Sequence, residues 1–180
     1  MDETLGVLTE TTSLTGVLKV TRPVHSDRRG CLWSVCSGSE DFGGVVKGLD
    51  FKHIKFNTND KGVLRGIHFD DATTKLVSCV SGALTQFVIN VDEASVNFGK
   101  YEKFELRAGD GISVLIPAGY GNAFVARENS TTYCYLLSYS GSYIDADQQG
   151  TLSYMDERLD IEWGVENPIL SSRDGVQDES

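Results

Sequence analysis

The residues best suited to chemistry lie in one stretch, Gly62-Val63-Leu64-Arg65-Gly66-Ile67-His68-Phe69, with Lys75 seven residues beyond the histidine. Apolar and polar residues alternate here as they do in a strand, and Gly66 interrupts the pattern. Side chains two apart share a strand face. Strict alternation therefore sets Val63, Arg65 and Ile67 on one face and Leu64, Gly66 and His68 on the other. A bulge at Gly66 would re-aim one of the two sets. A cation and a titratable imidazole joined by a glycine suit a site for an anionic ligand. The same octapeptide, taken alone, also describes a strand-end histidine beside a surface arginine.

Other chemistries find less support. The chain has only three histidines, His25, His53 and His68, and no two of them are one residue apart. The paired-histidine spacing with a carboxylate that usually builds a metal site on a β-scaffold is missing, so no metal is expected. No glycine-rich strand-to-helix loop marks a dinucleotide or phosphate site, and no GxSxG elbow marks a serine hydrolase. Cys31, Cys36, Cys79 and Cys134 form no CxxC pair. In a reducing compartment they read most simply as small buried residues, with a structural disulfide as the alternative. The net charge of −10 argues against nucleic acid or an anionic membrane as the main partner. A local pocket of Arg and Lys can still hold a small anion. No run of about 18 apolar residues implies a transmembrane helix. Met1-Asp2-Glu3-Thr4 is acidic and unlike a signal peptide, so a cytoplasmic protein is expected.

The elements that must position these groups read as strands. With 180 residues, 19 glycines and 3 prolines, the chain suits one domain, 1–180, of short strands between polar turns. Strands are expected near 16–21, 31–36, 50–56, 62–69, 75–80, 84–91, 101–107, 112–116, 122–127 and 131–138. Ser81-Gly82 reads as a tight turn joining two of them, and Arg107-Ala108-Gly109-Asp110-Gly111 as a second turn. Residues 40–48 read as a loop or short helix, 155–158 as a helical turn, and 175–180 as a frayed tail. The fold class is all-β, an antiparallel sandwich or barrel.

In order and spacing, a longer set of motifs resembles the nucleotide-sugar 3,5-epimerases of the deoxyrhamnose pathway, over roughly residues 15 to 175. The set runs from Asp27-Arg28-Arg29-Gly30 through the Gly62-to-Phe69 stretch, Lys75-Leu76-Val77, Gly82 and Val91-Asp92. It continues with Asn97-Phe98-Gly99, Ile116-Pro117-Ala118-Gly119 and the tyrosine strand Tyr133 to Tyr139. It closes with Asp160-Ile161-Glu162-Trp163 and Leu170-Ser171-Ser172-Arg173-Asp174. The resemblance implies a cupin-like antiparallel β-barrel, or jelly roll, with short helical turns near the C-terminus. It also implies a cofactor-independent epimerase acting at C3, C5 or both of a nucleotide-diphosphate-linked 4-keto-6-deoxy sugar.

The implied mechanism removes a proton beside the C4 ketone and returns one to the opposite face. His68 matches the base; an imidazole is suited to proton transfer near neutral pH. Asp174 matches the aspartate that orients the imidazole, and Lys75 the cation near the developing oxyanion. Tyr135 matches the acid, with Tyr133 and Tyr139 as competing assignments because they share its parity. Arg65 and Arg29 match arginines that grip the diphosphate. Asn122, Trp33 and Tyr139 complete the expected substrate-binding set, with Trp33 able to stack on a base. In the family the segment around Arg29 reaches into the partner's site, which implies a homodimer.

Three departures bear on the substrate. The loop from His68 to Lys75 is short, Asn122 stands where dTDP-sugar members have His, and Trp33 lies where those members carry thymine-contacting residues. These features, with Tyr143-Ile144-Asp145-Ala146 and Asp156-Glu157-Arg158, look more like the branch acting on GDP-linked 4-keto-6-deoxyheptoses. GDP is therefore expected at least as readily as dTDP. A 3,4-ketoisomerase on a related scaffold and a non-catalytic sugar-binding barrel are the alternatives. The first lacks its paired-histidine motif, and the second needs no set such as His68, Asp174, Tyr135 and Lys75.

Overall fold

A computed structural model of the chain describes residues 6–37 and 48–175. The expected loop at 40–48 and the tail at 175–180 lie, but for their glycines Gly48 and Gly175, outside the described residues. Among the described residues the strands are β1 (Leu8–Thr11), β2 (Leu18–Thr21), β3 (His25–Asp27), β4 (Gly30–Leu32), β5 (Phe51–Asn59), β6 (Leu64–Phe69) and β7 (Thr73–Ser81). They continue with β8 (Ala83–Asn90), β9 (Tyr101–Arg107), β10 (Ile112–Ile116), β11 (Tyr120–Ala126), β12 (Thr131–Tyr139) and β13 (Gly150–Thr151).

Period-2 alternation sorts these strands into layers. On β12, Tyr133 faces the space between the sheets, while Cys134 and Leu136 face outward into a second apolar layer. Two antiparallel sheets result, ordered β1-β2-β10-β7-β12-β5 and β13-β6-β11-β8-β9, with β3-β4 as a separate hairpin. Val77, Val114, Leu84, Val88, Phe104 and Phe124 fill the space between the sheets. The orders end at β1 and β5 in one sheet and at β13 and β9 in the other, so the strands form two open sheets, and of the sandwich and barrel expected the hydrogen bonding describes the sandwich. From β5 to β12 every connection but β8–β9 crosses from one sheet to the other, as in a jelly roll. Ser81-Gly82 is thus a tight connection but not a hairpin: β7 pairs with β10 and β12, and β8 with β9 and β11.

Both outer faces are partly covered, with Ile54 and Phe56 of the first sheet left exposed. Val35, Cys36 and Leu49 pack over part of the first sheet. Leu152, Tyr154, Ile161, Trp163, Val165 and Leu170 pack over the second. This C-terminal cover has little regular structure, yet it is anchored. Leu152 and Ile67 exchange backbone hydrogen bonds of 3.0 and 3.3 Å, and Leu64 N–H donates to Ile169 O at 3.1 Å. Arg127 donates to the carbonyls of Trp163 and Gly164 at 2.8 and 2.7 Å.

Several expectations are corrected. The expected strand at 31–36 stops at Leu32, and β1 and β3 arise where none was expected. Residues 155–158 form hydrogen-bonded turns rather than a helical turn, because the Asp156 carboxylate takes the Arg158 N–H at 2.9 Å. The described helical element is a 3-10 turn at Ala146–Gln148, capped by Asp145.

Candidate active site

The octapeptide places its charged residues through a bulge. Asn122 pairs with His68 and Phe124 with Arg65, so β6 spends three steps where β11 spends two. The extra residue is Gly66, at φ +131°. A Cβ there would lie 2.7 Å from Ala123 Cα, so the close approach needs glycine. Arg65 and His68, opposed under strict alternation, consequently line the same cavity. Leu64 and Ile67 both turn to the outer apolar layer.

The cavity, of about 290 Å³, opens between the sheets at the end bounded by β5, β6, β7, β11 and β12, and the C-terminal segment closes one side. His68, Tyr135, Asp174, Lys75, Arg65 and Asn122 all line it. His68 Nε2 lies 2.6 Å from Asp174 Oδ1, across 106 residues of sequence. Ser171 Oγ donates to Asp174 Oδ2 at 2.9 Å. Burial is the largest influence on Asp174 and pushes its carboxyl up. His68, Ser171 and Arg173 outweigh it, and the carboxyl lies below its ordinary range. Lys75 is 5% exposed and ion-paired with Asp70 at 3.3 Å.

The tyrosine strand is also resolved. Tyr133 is 2% exposed, stacks on Phe124 with ring centroids 4.4 Å apart, and donates to Gln86 Oε1 at 2.9 Å. Burial pushes its phenol well up. Tyr135, two residues on, is half-buried at the cavity wall; burial, with Tyr143, raises its phenol too, and Lys55, Asn57 and Arg65 offset only part of the rise. Asn122 Oδ1 accepts from Gln86 Nε2 at 2.7 Å.

Three expected site residues lie elsewhere. Tyr139 packs beside His53 and behind Tyr143, whose ring lies 5.5 Å away, and Tyr143 takes the cavity wall. Arg29 is exposed on the β3–β4 hairpin and pairs with Asp27. Trp33 follows that hairpin and lines a separate surface depression with Arg22, Pro23 and Leu32.

Other cavity residues had no role assigned from the sequence. Lys55, Asn57, Gln149, Ser171 and Arg173 line it, with Asp70 behind Lys75. For β5 the signal was present but inverted. Its half-buried face carries His53, Lys55 and Asn57, while Ile54 and Phe56 are 60% and 61% exposed. Lys55 stands directly opposite Tyr135 in the β5–β12 register and donates to Tyr143 Oη at 2.5 Å. All four cysteines are free, and burial pushes the Cys79 and Cys134 thiols up to about 11. Among the described residues no three His, Cys, Asp or Glu side chains group to hold a metal ion. No helix among them is long and apolar enough to cross a membrane.

Comparisons with known proteins bear on the fold and the family. The family described as dTDP-4-dehydrorhamnose 3,5-epimerase matches residues 11–179. A dTDP-4-dehydrorhamnose 3,5-epimerase of Mycobacterium tuberculosis is 29% identical over 169 residues, covering 89% of this chain and 81% of that protein. A dTDP-4-dehydro-6-deoxyglucose 3-epimerase of Streptomyces bikiniensis is 32% identical over 157 residues, covering 84% and 78%. The solved structure of a 3'-monoepimerase from Streptomyces bikiniensis in complex with dTDP-quinovose superposes with a TM-score of 0.79 at 28% identity, covering 91% of this chain and 83% of that one. These relatives are named for dTDP-hexoses, and they lend no support to the expected likeness to a GDP-heptose branch.

Proposed function

The chain belongs to the dTDP-4-dehydrorhamnose 3,5-epimerase family, a family of isomerases, and from that premise we propose that it inverts C3, or C3 and C5, of a dTDP-linked 4-keto-6-deoxyhexose without a cofactor. The observation that carries this reading is the meeting of His68, held by Asp174, with Tyr135 and Lys75 in one cavity.

The chemistry follows from the groups. Asp174 engages Nε2 of His68, which leaves Nδ1 to take the proton from the carbon beside the ketone. The C–H electron pair moves into the ring, and charge develops on the C4 oxygen. Lys75 faces that charge from a poorly solvated wall, where fixed charge acts most strongly. Tyr135 delivers its proton to the opposite face, and the phenolate left behind is balanced by Lys55. Exchange with solvent resets both groups. Arg65, held by Asn59 Oδ1 at 2.7 Å, is suited to the diphosphate.

Incubation with dTDP-4-keto-6-deoxyglucose in D2O tests the reading. Deuterium at C3, or at C3 and C5, is expected, undiminished by EDTA. No label, or label lost with EDTA, overturns it. A GDP-linked 4-keto-6-deoxyheptose that labels faster than the dTDP sugar would move the substrate to the GDP branch.

Arg29 and Trp33 have no place in their own chain's cavity. The reading that joins them to the function is a homodimer in which each hairpin completes the partner's site. Exposed Ile54, Phe56 and Leu32, the last 71% accessible, support it. Mixing inactive His68→Ala and Arg29→Ala subunits should then restore part of the activity. A monomer by sedimentation, or no complementation, would count against it.

A further inference from the structure

The short loop between His68 and Lys75, a departure from the family pattern, puts a carboxylate behind the lysine. Asp70 is 7% exposed and Lys75 5% exposed. The two oxygens of Asp70 divide their contacts. Oδ1 accepts the Ala72 and Thr73 N–H groups at 3.0 and 2.6 Å and so folds the loop. Oδ2 accepts Lys75 Nζ and Gln149 Nε2, both at 3.3 Å. Gly119 N–H donates to Asp70 O at 2.8 Å and fixes the backbone beneath. Gln149 adjoins the capped turn at the cavity edge.

We propose that Asp70 is a positioning residue for the epimerase reaction, holding the Lys75 ammonium charged and aimed at the ketone oxygen from behind the cavity wall. The inference rests on the function proposed above.

The physical need is plain. An ammonium this buried tends to shed its proton, and a neutral amine cannot balance an enolate. Burial does draw the Lys75 pKa down, and Asp70 opposes the fall. In return Lys75, with the hydrogen bonds of the turn, holds the Asp70 carboxyl below its ordinary range although burial pushes it up. The other charged or titratable groups around the cavity are Lys55 on β5, Arg65 and His68 on β6, and Tyr133 and Tyr135 on β12. Tyr143, Asp145, Arg173 and Asp174 come from the C-terminal segment. Among the described residues, Asp70 is the ion-pair partner of Lys75.

Asp70→Asn isolates the effect. It keeps an oxygen for the Ala72 and Thr73 N–H groups but removes the charge facing Lys75. The expected result is a kcat lowered about 10- to 100-fold with little change in KM. The alkaline limb of the rate profile should move to lower pH by about one unit or more, because the unpaired lysine deprotonates sooner. Asp70→Glu should restore much of the limb. A 13Cε NMR titration of Lys75 in the ligand-free protein reads the same shift without substrate. If wild-type protein exchanges no label, the reaction fails while this titration still decides the role of Asp70. An unmoved limb and an unmoved Lys75 titration in Asp70→Asn overturn the proposal. Should Asp70→Asn not fold, recovery on adding Lys75→Met supports the pairing, and its absence overturns it.

Discussion

The space between the two sheets has two ends, built from the same strands and put to opposite uses. On β7, Lys75 reaches the cavity while Val77 and Cys79, on the same face, enter the apolar core. On β12, Tyr133 is buried against Phe124 at the inner limit of the cavity while Tyr135, two residues on, stands half-buried in its wall. At the closed end the side chains are mostly apolar, and burial of apolar area holds the sheets together. At the open end the buried ionic groups have partners, Asp174 in His68 and Lys75 in Asp70. Removing a charge from water costs several kcal/mol unless a partner offsets it. A polar site can therefore share a sandwich interior with a core only where another segment brings counter-charges. Here the loop after β6 and the C-terminal segment bring them.

If this division holds, variants at the open end should change exchange and those at the closed end should change stability. His68→Ala should show the largest effect, lowering deuterium uptake from D2O by about 10³-fold or more with the fold intact by circular dichroism. Unchanged uptake would erase the distinction between the ends. Tyr135→Phe comes next, with about 10²- to 10³-fold loss. Its neighbour sharpens the contrast. Tyr133→Phe should slow exchange far less and instead lower stability by about 1–3 kcal/mol, since Gln86 Oε1 loses its donor. A reversed order would transfer the acid role to Tyr133.

Asp174→Asn should reduce kcat about 10- to 100-fold by releasing the imidazole. It has a second signature in acid. The folded carboxyl lies below its ordinary value, so it contributes stability above about pH 4 that is lost as the pH falls through the lowered value. Denaturant melts between about pH 6 and pH 2 should show a shallower acid loss for Asp174→Asn than for wild type. An equally steep loss would say that the pair contributes nothing to folding. The smallest effect on exchange belongs to Leu84→Ala in the core. It should cost about 2–5 kcal/mol in stability and leave uptake per folded molecule unchanged.

The parts of the fold that could be read along the chain were those set by local rules. Alternation marked most of the central strands, and the parity shared by Tyr133 and Tyr135 was correct. Local rules failed where distant contacts decided. The bulge weighed at Gly66 is present and brings Arg65 and His68 together, but alternation could not choose between it and a regular strand, because its cause is the close approach of Ala123 on another strand. β5 was misleading because its inner face lines the site, so polar residues point inward and Ile54 and Phe56 outward. The tight turn at Gly82 was placed well, but a turn does not say whether its strands share a sheet, and here they do not. Arg29, Trp33 and Tyr139 were grouped with the site by the family resemblance and not by their own surroundings.

Residue types and their spacing were enough, taken alone, to establish a β-protein carrying an imidazole and an arginine suited to an anionic ligand, and the enolate chemistry, with its lysine and phenol, was implied only by the family resemblance. They suffice because alternation, glycine positions and side-chain chemistry are properties of short stretches. Only the tertiary structure decided that His68 and Asp174, 106 positions apart, form one hydrogen-bonded pair, and that Asp70 stands behind Lys75. Those contacts depend on which sheet each strand joins and on a C-terminal segment whose course is set by apolar packing rather than by any local pattern.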